Sequence, residues 1–399
     1  MEIRGAVPTA GLADAVVAVE DGVITRVEPA AGGSPPGAVI LPGLLDIHCH
    51  GGGGHSLATT DPAEALAAAA YHASAGTTGV VASLVTAAPV DLLRQVRALA
   101  PLVAAGQLLG IHLEGPFLAP ARRGAHDPRL LLDPDPALVA DLLEAAGSAL
   151  AIVTLAPERT GAPAIAAMLR AAGVVVAYGH TDASYDCMAA ALAEAGGTGL
   201  VTHLGNAMPP LHHRAAGAMA AALAAAAADE ASVELIADGA HVDAGFTRLV
   251  FAAAAPGRVV LVTDATAAAG MPDGDYALGS LRVTVSGGVA RLAGEAGGGG
   301  GSGAGGAIAG GTSTLLRVVA TARAAGVPLA DAARAASEAP ARVLGLTGTR
   351  GAQGSRGAQG SRGTRGARGA VAAGMAADLV VTDVNLALGR VMRAGRWLE

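Results

Sequence analysis

A TIM-like (β/α)8 barrel, with a small β-sandwich domain formed by the N- and C-terminal segments, is the fold this sequence predicts. Three observations carry that expectation. From about residue 46 to 345, short β-branched runs alternate with alanine-rich segments of helical length. Both ends of the chain carry turn-separated apolar runs without intervening helix. Histidine, only 11 residues in 399, recurs where the expected strands end, the edge on which such a barrel gathers its functional groups.

At the N-terminus, Ala15-Val16-Val17-Ala18-Val19 and Val23-Ile24-Thr25-Arg26-Val27 flank Glu20-Asp21-Gly22, a hairpin signal. Asp378 to Asp383 and Gly389 to Gly395 have the same texture, so both termini are expected to share one β domain. The apolar run 38–45 reads as one buried strand leading into Asp46-Ile47-His48-Cys49-His50. Seven further strand candidates follow at 79–84, 108–113, 149–155, 174–179, 199–203, 233–237 and 259–263, which completes eight. The expected division is therefore a small β domain from 1–45 and 346–399 and a barrel from 46–345. Two stretches look like additions to this plan. Residues 294–306 are nearly all glycine, alanine and serine, and 350–369 hold a tandem Arg-Gly-Ala-Gln-Gly-Ser unit without core residues; both are expected to be flexible, the second a disordered insert. Asp273 and Asp275 read as part of a turn.

Composition excludes several classes. A net charge of -7 and a pI of about 5.9 argue against nucleic acid or an acidic membrane as partner. Mean hydropathy is positive, at +0.48, but the longest apolar stretch, 215–228, is shorter than the roughly 20 residues needed to span a bilayer. Asp14, Glu20 and Asp21 interrupt any signal-peptide pattern at the N-terminus, and two cysteines make no disulfide framework, so a soluble cytoplasmic protein is expected. All 26 basic residues are arginine. That excludes lysine Schiff-base chemistry, a Walker lysine and a modified lysine as metal bridge.

The candidate site is read from the strand ends. Residues two apart on a strand share a face, so His48 and His50 project together with Cys49 opposite, an arrangement suited to a metal ion. Other strand ends carry His112-Leu113-Glu114-Gly115-Pro116, Gly179-His180-Thr181-Asp182, Thr202-His203-Leu204-Gly205-Asn206-Ala207-Met208, Asp238-Gly239-Ala240-His241 and Thr263-Asp264-Ala265. Each histidine alone is compatible with a hydrogen-bonded loop residue, and Asp264 with a helix cap. As an ordered set they point to a metal centre. His55, His72, His212 and His213 have no assigned role, and Cys49 and Cys187 read as small buried residues. His112 reads as a supporting residue behind a ligand.

These segments, together with Leu41-Pro42-Gly43-Leu44-Leu45-Asp46, resemble the N-acetylglucosamine-6-phosphate deacetylase family of metal-dependent amidohydrolases along nearly the whole chain. The Glu114 and His203-to-Met208 segments are the more specific. The resemblance implies Glu114, His180 and His203 as ligands of the main metal. It also implies His48 and His50 as ligands of a second, with Glu114 bridging where other superfamily members use a modified lysine. Family members vary at the last two positions, so one or two ions per subunit are implied, with zinc as the expected divalent metal. It further implies Asp264 as general base and acid, and His126 as donor to the developing oxyanion. Ala125, Asn206, Ala207, Arg214, His241 and Ile308 fall at substrate positions. Arg214 and His241 correspond to phosphate contacts, and the arginine comes from a neighbouring subunit, which implies a homodimer. The expected activity is hydrolysis of the acetamide of an N-acetyl amino sugar phosphate, of the glucosamine series or its galactosamine epimer. A non-catalytic barrel kept for binding is the rival of another class, and the complete ligand set argues against it. An adhesive role for the Arg/Gly-rich repeat rests on the insert alone.

Overall fold

The computed structural model describes residues 1–31, 37–293, 306–348 and 366–398. The additions expected at 294–306 and 350–369 lie largely outside them. Gly366 to Gly369, read as insert, are described and packed: the buried Arg368 guanidinium lies 2.9 Å from the Asp378 carboxylate, and a Cβ on Gly369 would meet Ser337 and Ala341.

Eight parallel strands form the barrel, in sequential order from Leu44–Cys49 through Thr77–Val85, Gly110–Glu114, Leu150–Leu155, Val175–Tyr178, Gly199–Val201 and Ala231–Leu235 to Val259–Leu261. First and last strands meet beyond His48, where Cys49 pairs with Ala265, His50 N–H donates to Ala265 O and Asp264 N–H to His48 O. Ile47, Val81, Ile152, Leu200, Ile236 and Val260 fill the interior, where β-branched and leucine side chains pack into the tapering space. Ala339 and Leu344, in and just after the Glu338–Val343 helix, join that core. The helices outside begin where side-chain acceptors allow: Asp61, Asp135, Ser184 and Asp243 each accept a bond from an N–H of the first turn. Among the described residues, no helix is long and apolar enough to cross a membrane.

The chain ends join in one seven-stranded sheet. The segment before Leu379–Asp383 bonds to the edge strand Val23–Pro29, since Ile24 N–H donates to Met375 O and Gly374 N–H to Ile24 O. Val17, Ile24, Ile40, Leu379 and Met392 pack together between its halves. Both expected hairpins are present, as Leu12–Glu20 with Val23–Pro29 and Leu379–Asp383 with Leu388–Arg393.

Two expectations are corrected. The run 38–45 is two strands, not one: Ala38–Pro42 belongs to the seven-stranded sheet and Leu44–Cys49 to the barrel. Gly43 is the hinge, and a Cβ there would sit 2.3 Å from Thr78 Oγ1 and 2.7 Å from Asp378 Cβ. Asp273 and Asp275 introduce a three-stranded antiparallel sheet, Gly274–Leu278, Leu281–Ser286 and Val289–Leu292, rather than a simple turn. Asp275 is held by Arg282 and Thr284, and Asp273 accepts from Gly287 and Gly288 N–H. The inner face of this sheet, Leu278, Val283 and Val285, packs on Val85 and Ala309 and so lies over the barrel mouth.

Candidate metal centre and active site

Strand geometry delivers the ligands. The pairing of Leu44–Cys49 with its neighbour shifts register between Asp46 and Cys49, the local irregularity that re-aims side chains at a barrel rim. His48 and His50 then converge, with their Nε2 atoms 3.2 Å apart, while Cys49 packs into the outer core. Glu114 ends its strand with its carboxylate at the centre. Oε1 lies 3.1 Å from His180 Nε2, 3.0 Å from His203 Nε2 and 3.4 Å from His48 Nε2; Oε2 lies 3.2 Å from His50 Nε2. Asp264 completes the ring, 3.1 Å from His50 Nε2 and 3.4 Å from His48 Nε2. Three of these residues bend the chain inward at positive φ: His180 at 47°, His203 at 28° and Asp264 at 49°. Such backbone is uncommon outside glycine and clusters at functional sites.

The donor chemistry fits a cation. His48 donates from Nδ1 to Glu234 Oε2 at 2.9 Å, His50 from Nδ1 to Ser83 O at 3.1 Å, and His180 from Nδ1 to Arg122 O at 2.8 Å. Each bond places the ring proton on Nδ1 and turns an Nε2 lone pair inward. His180 and His203 Nε2 are 3.0 Å apart. Lone pairs that face each other and two carboxylates need positive charge between them. Without another cation that charge is protons. Burial alone would lower His48 and His50, but Glu114 and Asp264, with Glu234 beside His48, hold His48 well above its usual range and His50 up to about 9. Conversely, Glu114 and Asp264 are pushed up by burial, yet the imidazoles keep both well below the usual carboxylate range. The donors form two groups that share Glu114: His48, His50, Glu114 and Asp264, and Glu114, His180 and His203.

Other groups support these. His112 lies under the centre, bonded to Ser83 Oγ and Thr154 Oγ1, its ring edge-on to His48 at 4.6 Å. Burial pushes it well below its usual pKa, so it stays neutral. A further buried trio, Asp46, Cys49 and His72, lies behind the strand. Asp46 accepts from Thr263 Oγ1 at 2.5 Å and His72 Nε2 meets Gly51 O at 2.8 Å, while His72 Nδ1 has no hydrogen-bond partner among the described residues.

A cavity of about 50 Å³ opens on the centre and is lined by Ala125, His126, Asn206 and Ala207 among others. Val85 and Leu278 give it an apolar wall. His126 faces Thr86 through Nδ1, with the hydroxyl at 2.9 Å, and turns Nε2 toward Glu114 at 3.4 Å. Burial lowers its pKa to about 4, the neighbouring Glu114 notwithstanding.

Arg214, His241 and Ile308 do not line this cavity. Arg214 is exposed and bonded to His213 Nε2 at 2.7 Å. His241 is fixed by Asp238 at 2.8 Å, and Ile308 bridges to Arg291. The reading of the sequence missed Glu234, Leu278 and Val85. Glu234 left one signal, a lone carboxylate within Ser232-Val233-Glu234-Leu235-Ile236.

Residues 39–352 match the amidohydrolase family model. The chain belongs to the amidohydrolase family. N-acetylglucosamine-6-phosphate deacetylase of Vibrio furnissii is 37% identical over 350 residues, covering 84% of this chain and 82% of the relative. N-acetylgalactosamine-6-phosphate deacetylase of Escherichia coli O157:H7 is 35% identical, covering 84% and 87%. The solved structure of a mutant N-acetyl-D-glucosamine-6-phosphate deacetylase of Mycobacterium smegmatis, in complex with N-acetyl-D-glucosamine-6-phosphate, matches with a TM-score of 0.84 at 41% identity, covering 97% and 95%. As an amidohydrolase the chain is metal-dependent, and the converging donors are where its metal fits.

Proposed function

We propose that this amidohydrolase hydrolyses the acetamide of N-acetyl-D-glucosamine 6-phosphate, a linear amide, to D-glucosamine 6-phosphate and acetate. The carrying observation is the convergence of four imidazoles and two carboxylates beside a small, partly apolar cavity. It is supported by relatives whose names state this reaction. Glu114, His180 and His203 would hold the main ion, and His48 and His50 a second, with Glu114 shared and zinc as the metal. A divalent cation at these donors supplies Lewis acidity, polarising the amide carbonyl and easing deprotonation of water.

The chain's own groups do the rest. Asp264, kept ionised by the neighbouring imidazoles, takes a proton as the water oxygen bonds to the carbonyl carbon. It returns that proton to nitrogen as the C–N bond breaks. His126, neutral because it is buried, donates from Nε2 to the amide oxygen as negative charge gathers there. Val85 and Leu278 give the acetyl methyl an apolar wall and exclude water. Ala125, Asn206 and Ala207 contact the sugar at the cavity edge. Ile308 and His241 lie further out toward the sugar and phosphate, and Arg214 reaches the phosphate from a second subunit. A planar guanidinium suits phosphate because it bonds two oxygens at once. The reading therefore includes a homodimer. It assigns catalysis to the barrel, which begins at Leu44 rather than 46 and runs to about 345, and a supporting role to the sheet built from both chain ends. A cytoplasmic location goes with it, since a phosphorylated sugar is too charged to cross a bilayer unaided.

Acetate release tests the reading on three substrates: N-acetylglucosamine 6-phosphate, its unphosphorylated form and the galactosamine 6-phosphate epimer. Turnover is expected on the first and strongly reduced on the second. Preference for the epimer would reassign the substrate, and no turnover on any of the three in folded, metal-loaded protein would reject the reading.

A further inference from the structure

Glu234 lies on the Ala231–Leu235 strand, fully buried, and takes no part in the proposed chemistry. Its Oε2 accepts from His48 Nδ1 at 2.9 Å and from the His203 backbone N–H at 3.2 Å. One carboxylate oxygen thus touches a residue from each of the two donor groups. Its own carbonyl holds the next turn as well, accepting from Leu204 N–H at 2.8 Å. Among the described residues no hydrogen-bond partner reaches Oε1, and the only ion pair of this carboxylate is with His48. A buried carboxylate left half-satisfied is costly unless positive charge lies close by. Here that charge can only come through the His48 imidazole, which stands between Glu234 and the centre.

We propose that Glu234 is a positioning residue for the second metal ion. It holds His48 in the tautomer that turns Nε2 inward, and its negative charge makes that nitrogen a stronger donor. The inference rests on the two-ion reading above and adds to it the residue on which the His48/His50 half depends. A carboxylate behind a ligating imidazole fixes the ring and raises its basicity, and losing such a partner typically costs 10–100-fold in metal affinity. The Glu114/His180/His203 half depends on the Glu234 side chain only through the His203 backbone N–H, for which a neutral acceptor can serve, and the main-chain bond from Leu204 N–H is untouched by a side-chain change.

The test is zinc titration of chelator-stripped full-length protein against a competing chromogenic chelator, with melting temperature recorded alongside, for wild type, Glu234→Gln and His48→Asn. Glu234→Gln keeps the side-chain shape and an acceptor oxygen but removes the charge. The expected result is that its weaker zinc step loses 10–100-fold in affinity, in the same step that His48→Asn abolishes. The stronger step and the metal-free melting temperature should stay near wild type. Two steps unchanged in Glu234→Gln would overturn the proposal, as would equal loss of both steps. A single wild-type step indifferent to His48→Asn would also overturn it, since His48 would then be no ligand. No zinc binding by folded wild type would instead reject the metal-centre reading itself.

Discussion

Asp264 shows how much one residue depends on its surroundings. Burial raises a carboxyl's pKa, yet His48 and His50, 3.4 and 3.1 Å away, hold this one well below the usual range, so it is available as a base. Asp264→Asn keeps the size and removes the proton acceptor. Turnover should fall by about 10²–10⁴-fold, the usual share of a positioned acid–base group, while metal analysis should show the ion of the proposed Glu114, His180 and His203 site retained. His126 is shifted the other way, to about 4 by burial. The unfolded chain takes up this proton near its ordinary value of 6.5 and the folded chain does not until about 4. Between those values the unfolded state binds more protons, so this residue makes stability fall as pH falls. In metal-loaded protein, denaturation at pH 7 and pH 4.5 should show a smaller acid loss for His126→Asn than for wild type; an equal loss would contradict the assignment. The convergence of His48, His50, Glu114, His180, His203 and Asp264 was legible in the sequence because rare histidines and acids stood at regular strand ends. Glu234 was not, since nothing in a linear pattern shows that a carboxylate inside an apolar strand faces the back of an imidazole.

At the scale of elements, the Pro42-Gly43 step joins sheet and barrel, with Gly43 as the hinge. Its N–H donates to Asp378 O at 2.7 Å, and a methyl group would press on Thr78 and Asp378. Gly43→Ala should therefore cost about 1–3 kcal/mol by overpacking, read as a lowered denaturant midpoint with an unchanged slope. A cost near zero would mean that the two sheets separate readily. The eight barrel strands were readable because β-branched runs stood between alanine-rich helices. The junction 38–45 was not, because buried residues continue on both sides of Pro42-Gly43, whose turn signal is the one mark of the break. The sheet over the barrel mouth escaped for the opposite reason. Gly274–Leu278 buries only Leu278 and exposes Asp275, so its pattern resembles a polar turn, and only the packing of Leu278 against Val85 reveals it as a wall of the site.

For the whole molecule, the barrel closes where His48 and His50 meet Asp264, just beyond the last strand, so closure assembles half of the proposed metal site. Metal should then stabilise the entire fold. Binding to the native state alone adds about 2.7 kcal/mol when free metal exceeds its dissociation constant a hundredfold. Chelation should lower the melting temperature, and added zinc should restore it. The barrel and the shared sheet of the two termini could be anticipated from sequence, because both are written in local pattern and spacing, and so could the gathering of histidines and acids at the strand ends. The places of Arg214, His241 and Ile308 could not. They depend on where loops settle, and in its own chain Arg214 turns outward to His213, away from the cavity. The most direct measurement is acetate release from N-acetylglucosamine 6-phosphate by chelator-stripped protein as zinc is added back. Turnover should be absent at the start, rise with bound metal and saturate at one or two ions per chain. Full turnover in the stripped protein, or none in folded protein at saturating metal, would contradict the metal-centred hydrolysis on which this reading of the molecule rests.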